Sequence, residues 1–210
     1  MVSTGRRGIM RRNVLFVAVA VVALTGGSAW AADESAAIDL IRRECSSCHG
    51  ARGISVSPTF PNLAGQQAPY LEAQLKAFRD RSRADPHAQA FMWGMAAQLT
   101  DETIANIAKY LAAQPPAPGT RAEPAEIAAG KKIYEEGISA QNVPACQSCH
   151  GNKAQGNGPF PRLAGQHRGY LERQLGAFAA NLRANPVMHE NSKNLTALQI
   201  SQVAAFLSSP

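Results

Sequence analysis

Aromatic residues make up only 6% of this 210-residue chain and charged residues only 17%, against 45% hydrophobic residues. So apolar a composition excludes a disordered tail, and no bias points to collagen or a coiled coil. The N-terminal apolar run, Val14 to Leu24, has 11 residues, too few to cross a hydrocarbon core comfortably. Residues 1–31 contain no acidic residue but carry Arg6, Arg7, Arg11 and Arg12. The formal charge of +6 therefore falls to +2 over residues 32–210, where 17 Lys and Arg face 15 Asp and Glu. Nucleic-acid binding loses its main compositional support, and no nucleic-acid partner is expected. No stretch alternates convincingly at period two, and no G-x-G-x-x-G follows a strand, so a sheet and a flavin site are both excluded.

What is present begins with a leader. A basic stretch over residues 1–12, a short apolar run and Ala29-Trp30-Ala31 have the layout of a secretory signal peptide with its A-x-A cleavage site. Residues 1–31 are therefore expected to direct export, which places the mature protein in the periplasm. Arg11-Arg12 ahead of Val14-Leu15-Phe16 faintly resembles a twin-arginine signal. An uncleaved leader, holding the protein at the membrane, is the open alternative.

The rest of the chain is written twice, at a spacing of about 100 residues. Phe60-Pro61-Asn62-Leu63-Ala64-Gly65-Gln66 returns as Phe160-Pro161-Arg162-Leu163-Ala164-Gly165-Gln166. Tyr70-Leu71-Glu72-Ala73-Gln74-Leu75 returns as Tyr170-Leu171-Glu172-Arg173-Gln174-Leu175. Between the copies, residues 115–120 form a stiff Pro-rich linker, which predicts domains at 33–114 and 121–210. Each copy reads as helical. A short helix is expected over 35–45, and a longer one from Pro69 to about Arg83, burying Tyr70, Leu71, Leu75 and Phe78. Thr100 and Thr196 open a last helix in each copy, with Ile104, Ile107, Ala108 and Leu111, or Ile200, Val203, Ala204 and Leu207, turned inward. The fold class is all-α. Segments 46–68 and 147–168 are long and rich in Gly and Pro, and domains this small bury little on their own. Both features call for a large apolar group inside each copy.

All four cysteines fall in two motifs, Cys45-Ser46-Ser47-Cys48-His49 and Cys146-Gln147-Ser148-Cys149-His150. Cys-x-x-Cys-His is the attachment signature of c-type haem. One helical turn lets the two sulfurs reach the two vinyl groups along one porphyrin edge, and the next residue aims an imidazole at the iron. A four-cysteine zinc site would want the pairs 15–20 residues apart, and these are about a hundred apart. A thioredoxin-like pair needs a βαβ context. Two disulfides would leave the repeated His unexplained. Two haem c groups are therefore expected, with Cys45, Cys48, Cys146 and Cys149 attaching them and His49 and His150 binding iron.

A Met stands eight residues before each opening Thr: Met92 before Thr100 and Met188 before Thr196. These are the expected sixth ligands. Met95 is the rival in the first copy, and His189 in the second. His87 and His167 read as loop residues, and Gln67 at the place of His167 argues against a shared role. A thioether opposite an imidazole favours ferrous iron, raises the reduction potential and closes the coordination sphere. Such a site suits a carrier better than a catalyst, so no catalytic residue is expected.

With these motifs the chain resembles dihaem cytochrome c4 over essentially the whole mature sequence. The resemblance implies two tandem class I cytochrome c domains, each wrapped around one covalently attached haem. It implies that His49 and Met92 bind one iron and His150 and Met188 the other. It also implies that the carbonyls of Pro61 and Pro161 take the N–H of the iron-bound histidines. The family role is electron transport in a respiratory chain, with cytochrome bc1 as a donor and a terminal oxidase as acceptor. Residues after Met188 are more polar than those after Met92, which predicts a more exposed second haem of lower potential. Net charge is −1 over residues 32–116 and +3 over 117–210, a dipole that can orient docking. Two alternatives share the layout: the dihaem subunit of a flavocytochrome c such as sulfide dehydrogenase, and a dihaem enzyme such as thiosulfate dehydrogenase.

Overall fold

The computed structural model describes residues 27–209, together with 1, 2 and 5, so most of the expected leader lies outside the described residues. Among the described residues there is no strand, only two isolated bridges, Ile138 to Val143 and Asn157 to Phe160. None of their helices is long and apolar enough to cross a membrane.

In the first copy, α1 (Gly27–Leu40) runs through a wider π turn, Ile41–Cys45, into α2 (Ser46–His49). The helix expected over 35–45 thus begins earlier and loosens at its end, where the Ser46 N–H reaches back five residues to the Ile41 carbonyl. Next come α3 (Ala68–Arg79), a second π turn at Ala88–Met92, α4 (Trp93–Ala96) and α5 (Asp101–Ala112). The second copy has α6 (Pro124–Glu136), a 3-10 turn at Ser139–Gln141, α7 (Gln147–His150), α8 (Arg168–Ala179), α9 (Pro186–Ser192) and α10 (Ala197–Ser208).

The helix caps follow from the sequence. Thr100 Oγ1 accepts from the Thr103 N–H, and Thr196 makes a full capping box with Gln199. Helix α3 stops at Arg79 rather than about Arg83. Arg81 turns left-handed at φ 58°, and the Arg83 N–H then bonds back to the Ala77 carbonyl. Asn181 does the same at φ 55° after α8. The outcome is the same in both copies: Arg83 and Arg183 are turned inward and buried.

Each copy has its own core. Ala37, Ile41, Leu71, Ile107, Ala108 and Leu111 join α1, α3 and α5, while Tyr134, Leu171, Val203, Ala204 and Leu207 join α6, α8 and α10. Leu71 and Phe78 of α3 are buried as expected, whereas Tyr70 and Leu75 are only half-buried. Ile200 of α10 is likewise half-buried, beside buried Val203, Ala204 and Leu207.

The two copies meet across a polar, reciprocal interface. The Gln166 amide accepts from the Asn62 N–H (2.8 Å) and donates to the Asn62 carbonyl (2.9 Å). Gln66 repeats this on Arg162, at 2.7 and 2.9 Å. Each residue contacts its partner's counterpart, as in an isologous dimer. Gln67 and His167, contrary to expectation, share a role. Gln67 Nε2 donates across to the Gln155 carbonyl and His167 Nε2 to the Ser55 carbonyl, both at 3.0 Å. The linker packs over this seam: an added Cβ at Gly165 would stand 2.4 Å from the Ala117 carbonyl oxygen.

Candidate metal centres

Each Cys-x-x-Cys-His motif sits on a single helical turn, with Cys45 or Cys146 at its start and His49 or His150 at its last residue. No disulfide joins the four cysteines, and each is half-buried. Burial pushes Cys146 up to about 11, and burial with the neighbouring Glu44 carboxylate also raises Cys45. These are the opposite of the depressed values that mark a reactive redox pair. Ser47 and Ser148 hydroxyls approach Cys48 and Cys149 at 3.8 and 3.9 Å, so even the polar surroundings repeat.

Both histidines are buried, each 7% exposed. His49 Nδ1 donates to the Pro61 carbonyl (2.9 Å) and His150 Nδ1 to the Pro161 carbonyl (3.0 Å). The Phe-Pro turn is thus folded back over the motif, and Phe60 and Phe160 lie edge-on to the rings at 6.0 and 6.4 Å. Desolvation lowers both imidazoles below the ordinary histidine value, outweighing the raising effect of the proline carbonyls. The rings are therefore neutral, and the bond at Nδ1 leaves the Nε2 lone pair as the coordinating atom.

The methionines differ more. Met92 ends the second π turn and packs with Trp93 and Leu99 against Phe78, Ala88 and Ala96. Met95 is 44% exposed. Phe91 beside Met92 contacts Phe60 (5.3 Å), which in turn contacts His49, so aromatic contacts connect the histidine loop to the Met segment. Met188 is half-buried on α9, a regular helix without the π turn found in the first copy. The residue after each Met ties its segment down: Trp93 Nε1 donates to the Arg83 carbonyl (2.8 Å), and His189 Nδ1 to the Phe178 carbonyl (2.9 Å).

Among the described residues no three His, Cys, Asp or Glu converge on a metal site. The donor set of each copy is one neutral imidazole, two thiols on its helical turn and a thioether. That set fits an iron that arrives with its own macrocycle and fits a bare ion poorly. A second observation agrees. Arg83 and Arg183 are 8% and 6% exposed, and the one carboxylate within their hydrogen bonds is Asp85, so the interface carries surplus positive charge that acidic haem side groups would neutralise.

Comparison with known proteins decides the family. Residues 36–115 and 127–209 each match the Cytochrome c family. The chain belongs to the cytochrome c family. It is 41% identical over 201 residues to cytochrome c-552 of Acidithiobacillus ferridurans, covering 95% of this chain and 87% of the relative. It is 34% identical over 206 residues to a thiosulfate dehydrogenase electron acceptor of Thiomonas intermedia, covering 94% and 93%. The solved cytochrome c4 of Acidithiobacillus ferrooxidans superposes with a TM-score of 0.76 at 44% identity, over 79% of this chain and 98% of that one. As a tandem member of this family the chain binds two haem c groups and carries electrons; it is not an enzyme.

Besides the bond of His189 to Phe178, the residues whose roles were not foreseen from the sequence are Trp93, Gln66, Gln166, Arg83 and Arg183. A signal was there for four of them: Gln66 with Gln166, and Arg83 with Arg183, keep the repeat register while being polar.

Proposed function

We propose that this dihaem cytochrome works in the periplasm, in a respiratory chain, between a membrane donor such as cytochrome bc1 and a terminal oxidase. In this reading residues 1–31 direct export, and haem domains at 33–114 and 121–210 flank a linker at 115–120. Cys45 and Cys48, and Cys146 and Cys149, attach the two haems through thioether bonds. His49 with Met92, and His150 with Met188, ligate the irons, and the Pro61 and Pro161 carbonyls orient the imidazoles. Bound haem supplies a one-electron ferric/ferrous couple. The chain's own role is to hold neutral imidazoles at fixed orientation, present a thioether opposite, and keep water from the buried rings.

The observation that carries the ligand reading is the pair of matching histidine–proline carbonyl bonds, each leaving Nε2 for iron. Met92 is favoured over Met95 because it is packed while Met95 is exposed. Met188 is favoured over His189 because it keeps the register of Met92, eight residues before the capping Thr, while His189 stands at the place of Trp93 and like it ties its segment to a backbone carbonyl. The test is carbon monoxide added to the dithionite-reduced holoprotein. No change in the haem bands is expected of the wild type, and a change on half the haem is expected of Met92→Ala and of Met188→Ala. Carbon monoxide binding by the wild type, or an unaltered Met188→Ala protein with an altered His189→Ala protein, overturns the assignment.

A second reading of the donor has one specific observation behind it: the Thiomonas relative is named an electron acceptor of thiosulfate dehydrogenase. Stopped-flow reduction by a thiosulfate dehydrogenase and by cytochrome bc1, compared at one ionic strength, separates the two.

A further inference from the structure

The interface holds a closed ring of side chains. Arg83 donates to Gln74 Oε1 (2.7 Å) and to Gln174 Oε1 (2.8 Å). Arg183 donates to the same two oxygens, at 2.6 Å each. Each guanidinium also lies over a phenylalanine of its own copy, Arg83 on Phe78 at 4.7 Å and Arg183 on Phe178 at 4.5 Å. Around this ring the two copies match closely.

The copies diverge at the second residue beyond each arginine, where the first has Asp85 and the second Asn185. Both residues cap the helical segment that bears the methionine. Asn185 Oδ1 accepts from the Met188 N–H at 2.9 Å, and the Asp85 carboxylate accepts from the Ala88 N–H, again three residues on. The cap is common to both copies; the charge is not. Asp85 is 2% exposed and accepts from Arg83 Nε at 2.9 Å. Arg183 meets only neutral acceptors, the two glutamine oxygens and the Tyr70 hydroxyl at 3.0 Å. Burial by itself raises the Asp85 carboxyl, but the Arg83 guanidinium outweighs it and holds the group below the ordinary carboxylate value, so it is ionised.

We propose that Asp85 makes the two redox centres unequal, holding the first at the lower reduction potential. The inference rests on the ligand reading above, in which the segments capped by Asp85 and Asn185 deliver Met92 and Met188. Reduction adds an electron, and a fixed negative charge on the element that carries the ligand opposes it. A neutral cap does not. Because the carboxylate is buried, salt screens the effect little. The ordering is opposite to the one expected from the polar residues around Met188. The ionic residues beside Met188, Glu190 and Lys193, are exposed and paired at 2.6 Å, so solvent screens them, whereas the Asp85 carboxylate is buried and acts more strongly.

The test is a potentiometric titration of the holoprotein, with the methyl resonance of each bound methionine assigning the steps to domains. In Asp85→Asn the first centre is expected to rise while the second stays nearly fixed. The equilibrium constant for sharing one electron between the centres then moves about tenfold toward the first, equivalent to about 59 mV. Asn185→Asp is expected to lower the second centre, and it carries the test alone if Asp85→Asn does not assemble. Unchanged separation in either variant, with two haems bound and both methionine resonances present, overturns the proposal. Loss of a haem or a methionine resonance in the wild type overturns the ligand reading instead, and haem content reports that separately.

Discussion

Gln166→Ala should uncouple the two domains, and the interface sets the size of the effect. The Gln166 side chain is 7% exposed and makes two bonds to the backbone of Asn62, besides accepting from the His167 N–H at 3.0 Å. A hydrogen bond contributes about 1 kcal/mol net, and a buried backbone group left without a partner costs about 1–3 kcal/mol more. Truncation strands a donor and an acceptor on Asn62, so a loss of roughly 3 kcal/mol follows. For a chain of this size that is a fall of roughly 6–12 °C in Tm. Gln67→Ala is the control: it removes one exposed interdomain bond (3.0 Å) and should cost under about 1 kcal/mol. Scanning calorimetry of the holoproteins reads both numbers. The Gln166→Ala transition is also expected to broaden or split as the domains cease to unfold together. If Gln166→Ala loses no more than Gln67→Ala, the reciprocal amide bonds do not hold the domains together and the reasoning fails.

Other outcomes follow from the same structure. Gly165→Ala puts a Cβ 2.4 Å from the Ala117 carbonyl oxygen at φ +74°, whereas Gly158→Ala at φ +55° meets nothing within 4 Å. Thermal melts should therefore show about 1 kcal/mol of backbone strain for Gly158→Ala and clearly more for Gly165→Ala. Thr196→Ala removes a complete capping box and should cost about 1–2 kcal/mol in urea denaturation, while Thr100→Ala, which loses a single cap bond, should cost about 1 kcal/mol. The Asp85 carboxyl is lowered in the folded protein, so its stabilising effect is present above its ordinary value of 3.8. That effect is lost as pH falls through the lower folded value. Denaturation of wild type and Asp85→Asn from neutral pH downward should show a constant gap that closes only in strong acid. A gap that widens on acidification would contradict the sign.

Much of the site could be read in the sequence because its chemistry is local. Cys-x-x-Cys-His needs one helical turn, and it occupies α2 and α7 with the histidines at their ends. The Thr100 and Thr196 caps are equally local. What could not be read depends on backbone turns with no residue signature or on contacts between copies. The π turns at Ile41–Cys45 and Ala88–Met92 arise from packing rather than propensity. Arg81 is an ordinary residue in the left-handed region and Asn181 one that tolerates it, and after each the chain turns Arg83 or Arg183 into the interface. Helix α6 opens on Pro124, a start signal as plain as Pro69, but its inward Ile133 and Tyr134 are too few to mark a stripe. Gln66 and Gln166 look like solvated polar residues until each meets the backbone of the other copy.

The duplication itself explains where the two centres can differ. A reciprocal interface repeats every contact, so it drives both halves toward the same environment. The histidine side obeys this closely: the carbonyl bonds are 2.9 and 3.0 Å, and the phenylalanine rings stand at 6.0 and 6.4 Å. The methionine side does not. There the first copy has a π turn, Trp93 and Asp85 where the second has the regular α9, His189 and Asn185. A carrier that takes an electron at one centre and releases it at the other gains direction from unequal potentials, and equal halves supply none. The copies differ elsewhere too, in the π turn ahead of the first motif and in Asn62 against Arg162. The buried carboxylate that one copy has and the other lacks, however, lies on the methionine side, so the larger part of any inequality between the centres is expected to arise there.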